Sequence, residues 1–515
     1  MGRSEAGRRR VIRAGAVALG LALLAAACAK EAPYGVTDQS ETFTPSAVPW
    51  NGVKVYLSSP RHASSGSRGE CGWEENVNGR TFNLYAAHLN DESPGDATLT
   101  DRGYEVRVSA NTRDDGWRLN RDESDNWGAN VHLVTHSNAF EGCGNTAQYL
   151  LVMFKTGNAN SMNLRNELLA HLDPQVPGGQ NTWNCDGLGE CAALAEHITY
   201  IELFFHTNQA AVDWFTGPVD DPDATGAEAA SPYLGIALDE HLGYPRATPT
   251  TEWPLDHYPG FGRSPDATLR DLTIAYAEAF EREQSIAACM ADAGFTYEPA
   301  VAFPAEDTRA VADALGVEPA AAPPSSWAAN RAYEQDLPAP DRDRYFRTLL
   351  NERAADIDQA DRTGAFPTGR GADFATGGCH RTARAAVPSI WDAPRAINTT
   401  LSGVLADLPD APAMADTRAR YADCVASASD LQASTPAQLE KAIVADEAQD
   451  DAVKAYDTCS DVWAAGYQDA AQAPLTDAAS EQAAQLAEVA ARYEDAMDQV
   501  ATDTDLLHHL ASATD

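Results

Sequence analysis

The sequence predicts an α/β half, with a mostly parallel sheet flanked by helices, followed by a mainly α-helical C-terminal half. Short β-branched and aromatic runs alternate with helical stretches from Val53 to about residue 245, a pattern typical of a parallel sheet covered by helices. Beyond that point strand-like runs almost vanish and apolar residues recur at helical spacing. A chain of 515 residues is also long for a single core.

The first residues have the layout of an export signal. Four arginines between residues 8 and 13 precede an apolar run, 14–27, that is too short to span a bilayer. The run ends in LLAAAC, which resembles a bacterial lipobox with Cys28 as the lipidated residue, while RRRVIR more weakly resembles a twin-arginine signal. We therefore expect an exported lipoprotein, anchored through Cys28 at the outer face of the cell membrane. A cleaved signal without an anchor is the alternative.

The remaining chain divides by composition. Residues 1–28 form the signal peptide and lipobox, and the polar, aperiodic segment 29–49 is a predicted tether. Residues 50–246 form the predicted α/β domain and the Pro/Thr/Gly-rich segment 247–264 a linker. The segment 265–515 is a helical domain whose function and protein partners the sequence does not indicate.

Individual elements follow from local signals. The strands are predicted at VKVYLSS, YEVRVSA, NVHLVTH, QYLLVMF and ITYIELFF, with helices around 80–89, 164–172 and 233–242. Ser264 and Pro265 predict the start of a long helix that ends near Gly294, and TPAQ at Thr435 predicts another start. A stripe near the end of the chain predicts a core-facing helix, with a partner-binding groove as the alternative: Leu486, Val489, Tyr493, Met497 and Val500.

Charge and cysteine content narrow the function. The net charge of −39, the pI near 4.5 and the lack of a Lys/Arg stripe beyond the first residues argue against a basic face for phosphate, so no nucleic-acid partner is expected. After Cys28, eight cysteines remain, four before residue 200 and four after 280. An even number in an exported chain predicts disulfides within each half, although spacing does not determine their connectivity. None lies in a CxxC pair, which argues against a thiolate zinc site.

Chemically capable side chains fall where the predicted strands end, and open α/β sheets bind ligands at those carboxyl ends. His62 follows the first strand, Glu74 and Glu75 open the next helix, and His136 ends NVHLVT. Glu202 stands alone among apolar residues in ITYIELFF. Two imidazoles and a carboxylate suit a hydrolytic zinc site with an open position for water. A further glutamate, with its pKa raised by an apolar strand, suits general acid/base work at neutral pH.

Four sequence words in this order resemble the zinc-dependent N-acetylmuramoyl-L-alanine amidases, the family also called amidase type 3. They are the histidine after the first strand, EENVN from Glu74, HSNA from His136, and Glu202 with Phe and Asn three and six residues later. The resemblance covers roughly residues 53–245. It implies zinc bound by His62, Glu74 and His136, with Glu202 as the catalytic acid/base. The implied substrate is the amide between N-acetylmuramic acid and L-alanine in peptidoglycan.

Three points stay open. Glu75 is the alternative to Glu74 as a ligand, because the choice rests on one residue of register. PRHASSG departs from the glycines that usually surround the first histidine of the family. The rival function is a catalytically inactive, amidase-like lipoprotein that binds peptidoglycan or serves as a scaffold. The ten other histidines, including His132 and His206, are explained by helix faces, strand ends and tails.

Overall fold

A computed structural model describes residues 39–46, 48, 50–60, 70–73, 80–89, 97–110, 116–140, 142–217, 225–243, 255, 258–262, 264–318, 326–363, 366, 377–444 and 449–511. Within these residues, seven strands form one sheet in the order β1-β3-β2-β4-β7-β5-β6. Their bounds are β1 (Glu41–Phe43), β2 (Lys54–Ser58), β3 (Glu105–Val108), β4 (Val131–Asn138), β5 (Leu150–Phe154), β6 (Gln180–Asn184) and β7 (His197–Phe205).

The sheet is mostly parallel, as expected. Strand β2 pairs in parallel with β3 and β4, β4 pairs in parallel with β7, and β5 pairs in parallel with β6. The pairs β1–β3 and β5–β7 are antiparallel. Because β2, β4 and β7 run side by side in one direction, their carboxyl ends meet at one edge of the sheet.

Helices cover both faces of this sheet. Four elements pack through apolar side chains on one face: α1 (Thr81–Leu84, continued by a π-helical turn Tyr85–Leu89), α3 (Ala159–Leu172), α4 (Gln209–Thr216) and α5 (Gly226–Leu242). Helix α2 (Gly116–Trp127) lies on the other face, where Asn120 Nδ2 donates to Ser58 Oγ at 2.8 Å. The predicted helices around residues 164–172 and 233–242 are present but begin five and seven residues earlier, respectively.

The described part of the C-terminal half is helical, as predicted. Its helices are α6 (Pro265–Asp292), α7 (Ala305–Ala314), α8 (Ser326–Asp336), α9 (Ala339–Leu350), α10 (Ala354–Thr363), α11 (Gly378–Ala386), α12 (Asp392–Ala406), α13 (Ala415–Ala428), α14 (Pro436–Val444), α15 (Gln449–Glu481), α16 (Ala483–Val500) and α17 (Thr504–Ala511). Among the described residues, no helix is both long and apolar enough to cross a membrane.

The residues predicted to cap helices form capping hydrogen bonds in the structure. Ser264 Oγ accepts from Ala267 N at 3.2 Å, so it caps α6, and Gly294 follows that helix with a φ of 83°. Thr435 Oγ1 accepts from Gln438 N at 3.3 Å, while Gln438 Oε1 accepts from Ser434 N at 2.8 Å. The apolar stripe of α16 packs into the helical half, with Leu486, Val489, Tyr493 and Val500 buried.

The two halves share their cores. Trp117 of α2 packs in a cluster with Phe346 and Ile357, and its Nε1 donates to Asp361 Oδ1 at 3.1 Å. Trp127, at the other end of α2, packs in a cluster with Phe280 of α6. Helix α2, which would face solvent in an isolated α/β domain, is therefore buried between the sheet and the C-terminal helices.

A buried ion cluster also joins the halves. Arg102, which has no exposed side-chain surface, lies 2.6 Å from Asp239 of α5 and 3.0 Å from Glu440 of α14 through its Nη1 atom. Tyr104 donates to the second oxygen of Asp239 at 2.8 Å. Burying charge is costly unless it is paired, so these contacts specify how α14 docks on α5.

Four disulfides form, each within one half as predicted. They join Cys71 to Cys143, Cys185 to Cys191, Cys289 to Cys379, and Cys424 to Cys459. The sequence analysis did not predict two short strands, β1 and β6, because neither has a recognisable strand pattern. Strand β1 is three residues long and lies within the segment assigned to the tether, and β6 reads QNTWN with every residue exposed, so no alternation of apolar and polar residues marks it.

Candidate active site

His136 and Glu202 lie side by side on neighbouring strands. In the parallel β4–β7 ladder their Cα atoms are direct partners, near the carboxyl end of each strand. On the other side of β7, Glu202 is opposite Leu151 of β5, which is buried. An imidazole and a carboxylate thus meet at the edge of the sheet where such folds bind ligands.

A β-bulge follows this pair. The register of β4 against β7 shifts between His136 and Asn138, so that Asn138 is opposite Phe205. The ladder then closes with a hydrogen bond from His206 N to Asn138 O at 2.9 Å. Bulges re-aim side chains near sheet ends, and this one separates the His136–Glu202 pair from the loop that follows β4.

A backbone hydrogen bond determines the tautomer of His136. Its Nδ1 lies 2.6 Å from the carbonyl oxygen of Ser137. A carbonyl oxygen only accepts, so Nδ1 carries the proton, and in the neutral imidazole Nε2 is the nitrogen with a lone pair. This arrangement is typical of histidines whose Nε2 binds a metal ion.

The environment of Glu202 favours a protonated carboxyl group. Burial raises its pKa to about 7, although the nearby His136 and Asn138 side chains oppose the shift. A carboxyl group with this pKa exchanges its proton near neutral pH, which suits general acid/base catalysis. The apolar strand that surrounds Glu202 in the sequence therefore has the predicted electrostatic effect.

His206 is a neighbour that sequence reasoning missed. Its Nδ1 lies 2.9 Å from Ser137 Oγ, and its side chain is 1% exposed. Burial and the neighbouring His136 lower its pKa to about 4, so this imidazole is neutral at pH 7. Its place next to the family-like word at Glu202 was visible in the sequence, but nothing there indicated that the bulge would turn it towards Ser137.

The two asparagines in the family-like words at His136 and Glu202 form hydrogen bonds that hold the backbone around them. Asn208 Oδ1 accepts from Ala210 N at 3.1 Å and caps α4, while its Nδ2 donates to Ala147 O at 3.2 Å. Asn138 Oδ1 accepts from Ala139 N at 2.7 Å. These three bonds fix the loops that leave β4 and β7, so both asparagines support the local fold.

His62, Glu74 and Glu75 lie outside the described residues. A residue shortly before Glu74 is nevertheless joined covalently to the loop that follows His136. The Cys71–Cys143 disulfide, with a Cα–Cα distance of 5.3 Å, joins the segment before Glu74 to the loop after β4. Trp73 is buried against Phe204, with ring centroids 4.8 Å apart. Cys71 and Trp73, shortly before Glu74 in the sequence, are therefore fixed against the loop after β4 and against β7.

A second histidine on β4, His132, is paired with Glu190 in the protein interior. His132 Nδ1 lies 2.8 Å from Ser124 Oγ, and its Nε2 lies 2.9 Å from Glu190 Oε2. The ring stacks on Tyr56 at a centroid distance of 5.2 Å, and neither His132 nor Glu190 is exposed. Both nitrogens of His132 are used inside the protein, so this pair is part of the packing between the sheet, α2 and the loop closed by the Cys185–Cys191 disulfide.

Comparisons with known proteins find similarity in structure only. No protein-family model matches the sequence, and no curated protein matches it. The catalytic domain of CwlV, an N-acetylmuramoyl-L-alanine amidase from Bacillus (Paenibacillus) polymyxa var. colistinus, aligns over 38% of this chain and 99% of its own, with a TM-score of 0.28 and 14% identity. The CwlD amidase of Clostridioides difficile, solved in complex with the GerS lipoprotein, aligns over 36% of this chain and 98% of its own, with a TM-score of 0.28 and 15% identity.

A third solved structure, an N-acetylmuramoyl-L-alanine amidase from Clostridium difficile 630, aligns over 37% of this chain and 97% of its own. Its TM-score is 0.26 and its identity is 14%. Scores at this level do not assign the chain to the amidase family. The chain is a mostly parallel α/β protein with a helical C-terminal half and a histidine–glutamate pair at the carboxyl edge of its sheet.

Proposed function

We propose that the chain is a zinc-dependent amidohydrolase that cleaves the amide between N-acetylmuramic acid and L-alanine in peptidoglycan. One observation carries the proposal: His136 and Glu202, chosen from the sequence as ligand and acid/base, are direct partners on adjacent parallel strands. Residues 66 positions apart in the chain have no local reason to meet, whereas a shared reaction centre requires it.

The donor set fits zinc. Imidazole nitrogen and carboxylate oxygen are its usual protein ligands, and three of them leave a position for water. His136 has its Nδ1 proton held by the Ser137 carbonyl, which directs the Nε2 lone pair away from the backbone. In the proposal His62 and Glu74 complete the set, with Glu75 as the alternative carboxylate. When bound, zinc supplies a Lewis acid that polarises the amide and acidifies water.

Glu202 has the proton-transfer role. With a pKa of about 7 it is partly ionised at neutral pH, so its carboxylate can take a proton from the attacking water. The protonated carboxyl can then donate to the leaving amide nitrogen. The His136 imidazole lies beside it on β4, and the apolar wall that includes Leu151 limits water around the carboxyl group.

The place of action follows from the signal-like N-terminus. Cys28 as a lipidated residue would hold the protein at the outer face of the cell membrane, where peptidoglycan is within reach. In this proposal the partners are peptidoglycan and the membrane, the latter through Cys28.

The test uses the purified full chain and purified sacculi. We expect release of stem peptides from muramic acid, loss of release with a chelator, and recovery on adding zinc. Glu202→Gln should retain zinc, because the side chain is assigned no ligand role, but release almost nothing. Peptide release by Glu202→Gln at the wild-type rate would contradict the assignment of the acid/base.

The same experiment separates the enzyme from a binding protein. A non-catalytic, peptidoglycan-binding lipoprotein would sediment with sacculi in every sample and release no peptide at any zinc concentration. An inactive wild-type chain that sediments with sacculi would therefore replace the enzymatic proposal with this rival.

A further inference from the structure

A second cluster of metal-binding side chains lies on the opposite face of the sheet. Glu167 and His171 lie four residues apart on α3, and Glu240 lies on the adjacent helix α5. One ligand atom from each residue falls within 4.8 Å of the other two. The helices pack through the large apolar core of the α/β half, so the backbone beneath this cluster is fixed.

The distances suit a shared ion. His171 Nε2 lies 2.7 Å from Glu240 Oε2 and 3.9 Å from Glu167 Oε2. Tetrahedral zinc with bonds of about 2.1 Å separates neighbouring ligand atoms by about 3.4 Å. The two observed distances lie on either side of that value, so shifts of a few tenths of an ångström to about 0.7 Å would seat an ion.

The His171 side chain is buried, whereas the two carboxylates are accessible to solvent. The imidazole is 1% exposed, whereas Glu167 and Glu240 are 36% and 30% exposed. A buried ring that directs one nitrogen at two part-exposed carboxylates gives an ion both a rigid donor and a way in. An exposed acidic cluster without the imidazole would not have this rigidity.

The helical half supplies the rest of the surroundings. Lys441 of α14 donates to Glu240 Oε1 at 3.3 Å and leaves Oε2 directed at His171. A cavity of about 410 Å³ opens beside the two glutamates, and Thr435 and Gln438 of the same C-terminal segment line it. The cavity has room for water to complete the coordination of an ion.

We propose that Glu167, His171 and Glu240 form a second site for a divalent transition metal, located where α3 and α5 meet α14. One imidazole and two carboxylates match zinc or manganese, whereas calcium and magnesium prefer oxygen ligands alone. The site is independent of His136 and Glu202, whose side chains lie on the other face of the sheet. By joining α3 to α5 next to Lys441, the ion would stabilise the joint between the two halves.

Zinc counting on the full chain tests the proposal. The chain is stripped with chelator, re-equilibrated with zinc, separated from free ion, and its zinc content measured by mass spectrometry. His171→Gln should bind one zinc fewer than the wild type, and the upward shift in melting temperature caused by zinc should shrink. His508→Gln removes an exposed histidine of α17 and should behave like the wild type. Equal zinc content and equal shift in wild type and His171→Gln would overturn the site.

Two further variants keep the result interpretable. Glu167→Gln changes a side chain that is one-third exposed, so it should fold even if His171→Gln does not, and its zinc affinity at this site should fall at least about tenfold. His136→Gln should lose the other zinc and retain this one. Unchanged affinity in Glu167→Gln would count against the second site, whereas unchanged zinc content in His136→Gln would count only against the first.

Discussion

His132 and His136 both lie on β4, but their positions along the strand give them different surroundings. His132 is enclosed by other parts of the protein, whereas His136 lies near the carboxyl end of the strand. They lie four residues apart, so both side chains are on the same face of the sheet, and each is next to a glutamate from another segment. His132 lies near the start of the strand, where α2 and the Cys185–Cys191 loop cover it. His136 lies at the end of the strand and is half-buried.

Their hydrogen bonds differ accordingly. Both nitrogens of His132 contact side chains, Ser124 and Glu190, that no solvent reaches. His136 has its Nδ1 fixed by the backbone carbonyl of the next residue, Ser137, which orients the ring without using a second side chain. A carboxylate beside a fully enclosed imidazole serves packing, whereas the proposed function gives the carboxylate at the edge of the sheet a role in proton transfer.

The largest expected effect is a difference in peptide release between variants of Glu202 and Glu190. Glu202→Gln should lower peptide release from sacculi by about 10²–10⁴-fold, because it removes the group that transfers the proton. Glu190→Gln should leave release within a few-fold of the wild type at a temperature where both variants are folded. The measurement is the initial rate of peptide release, with circular dichroism as the check on folding. Equal losses in the two variants would show that the comparison does not separate catalysis from packing.

The next effect is on stability, where the buried pair of His132 and Glu190 should matter more than His136 at the end of the strand. Glu190→Ala should lower the free energy of unfolding by about 3–5 kcal/mol, because it leaves His132 buried without its partner. His136→Gln should cost less than about 1 kcal/mol, since His136 is half-buried and its replacement keeps a hydrogen-bonding group. Denaturant unfolding of the zinc-free proteins measures both. A large loss of stability in His136→Gln would place His136 in the same structural class as His132.

A smaller effect tests what holds Glu190 in place. Cys185→Ser with Cys191→Ser should lower the free energy of unfolding by about 2 kcal/mol, because the disulfide closes a short loop. Glu190 lies inside that loop, so its variant and the disulfide variant should not be additive when combined. A double-mutant cycle by denaturant unfolding measures the coupling. Strict additivity would mean that the loop holds its shape without the disulfide.

The last expected effect is a pH dependence of stability at Glu202. Its pKa is raised from 4.5 to about 7 in the folded chain, so the folded state binds more protons than the unfolded state between those values. Stability therefore falls as the pH rises through this window, and the loss is complete above it. Glu202→Gln has no such loss. Its melting temperature should exceed that of the wild type at pH 8, with the difference shrinking towards pH 4.

The same ionisation affects catalysis in the opposite direction. The value of kcat/KM should rise with pH through about 7, because ionised Glu202 is the form that accepts a proton from water. Thermal unfolding and peptide release measured over the same pH series should thus have opposite slopes. If the melting temperature and the rate of peptide release changed with pH in the same direction, Glu202 could not be responsible for both pH dependences.

Much of the secondary structure was predictable because it is determined by residues close together in the sequence. Apolar runs predicted β2, β3, β4, β5 and β7, and caps such as Ser264 predicted helix starts. A shared site for His136 and Glu202 was predicted from the position of His136 at a strand end, from the lone carboxylate in an apolar strand, and from the family-like words around both residues. The rule that open α/β sheets bind ligands at the carboxyl ends of their strands supported the same prediction.

The remainder depends on long-range contacts. Helix α2 is rich in polar residues, and its burial arises because partners such as Asp361 arrive from a distant segment. Nothing near His206 in sequence indicates Ser137, and Glu190 is far from His132 in the chain. Strand β6 has no apolar alternation because both its faces are exposed. Zinc ligation by His62, Glu74 and His136 and the catalytic role of Glu202 stay predictions, as do the domain boundaries and the anchor at Cys28.

The burial of α2 has a practical consequence for work on the α/β half. Trp117 and Trp127 meet partners that lie beyond residue 264, so a chain shortened to its first 250 residues would expose two indole rings and the apolar surface around them. Such a fragment should aggregate or require detergent, and poor behaviour on its part would say nothing about catalysis. Evolution of the two halves is expected to be linked for the same reason, since a residue lost from one side uncovers the other.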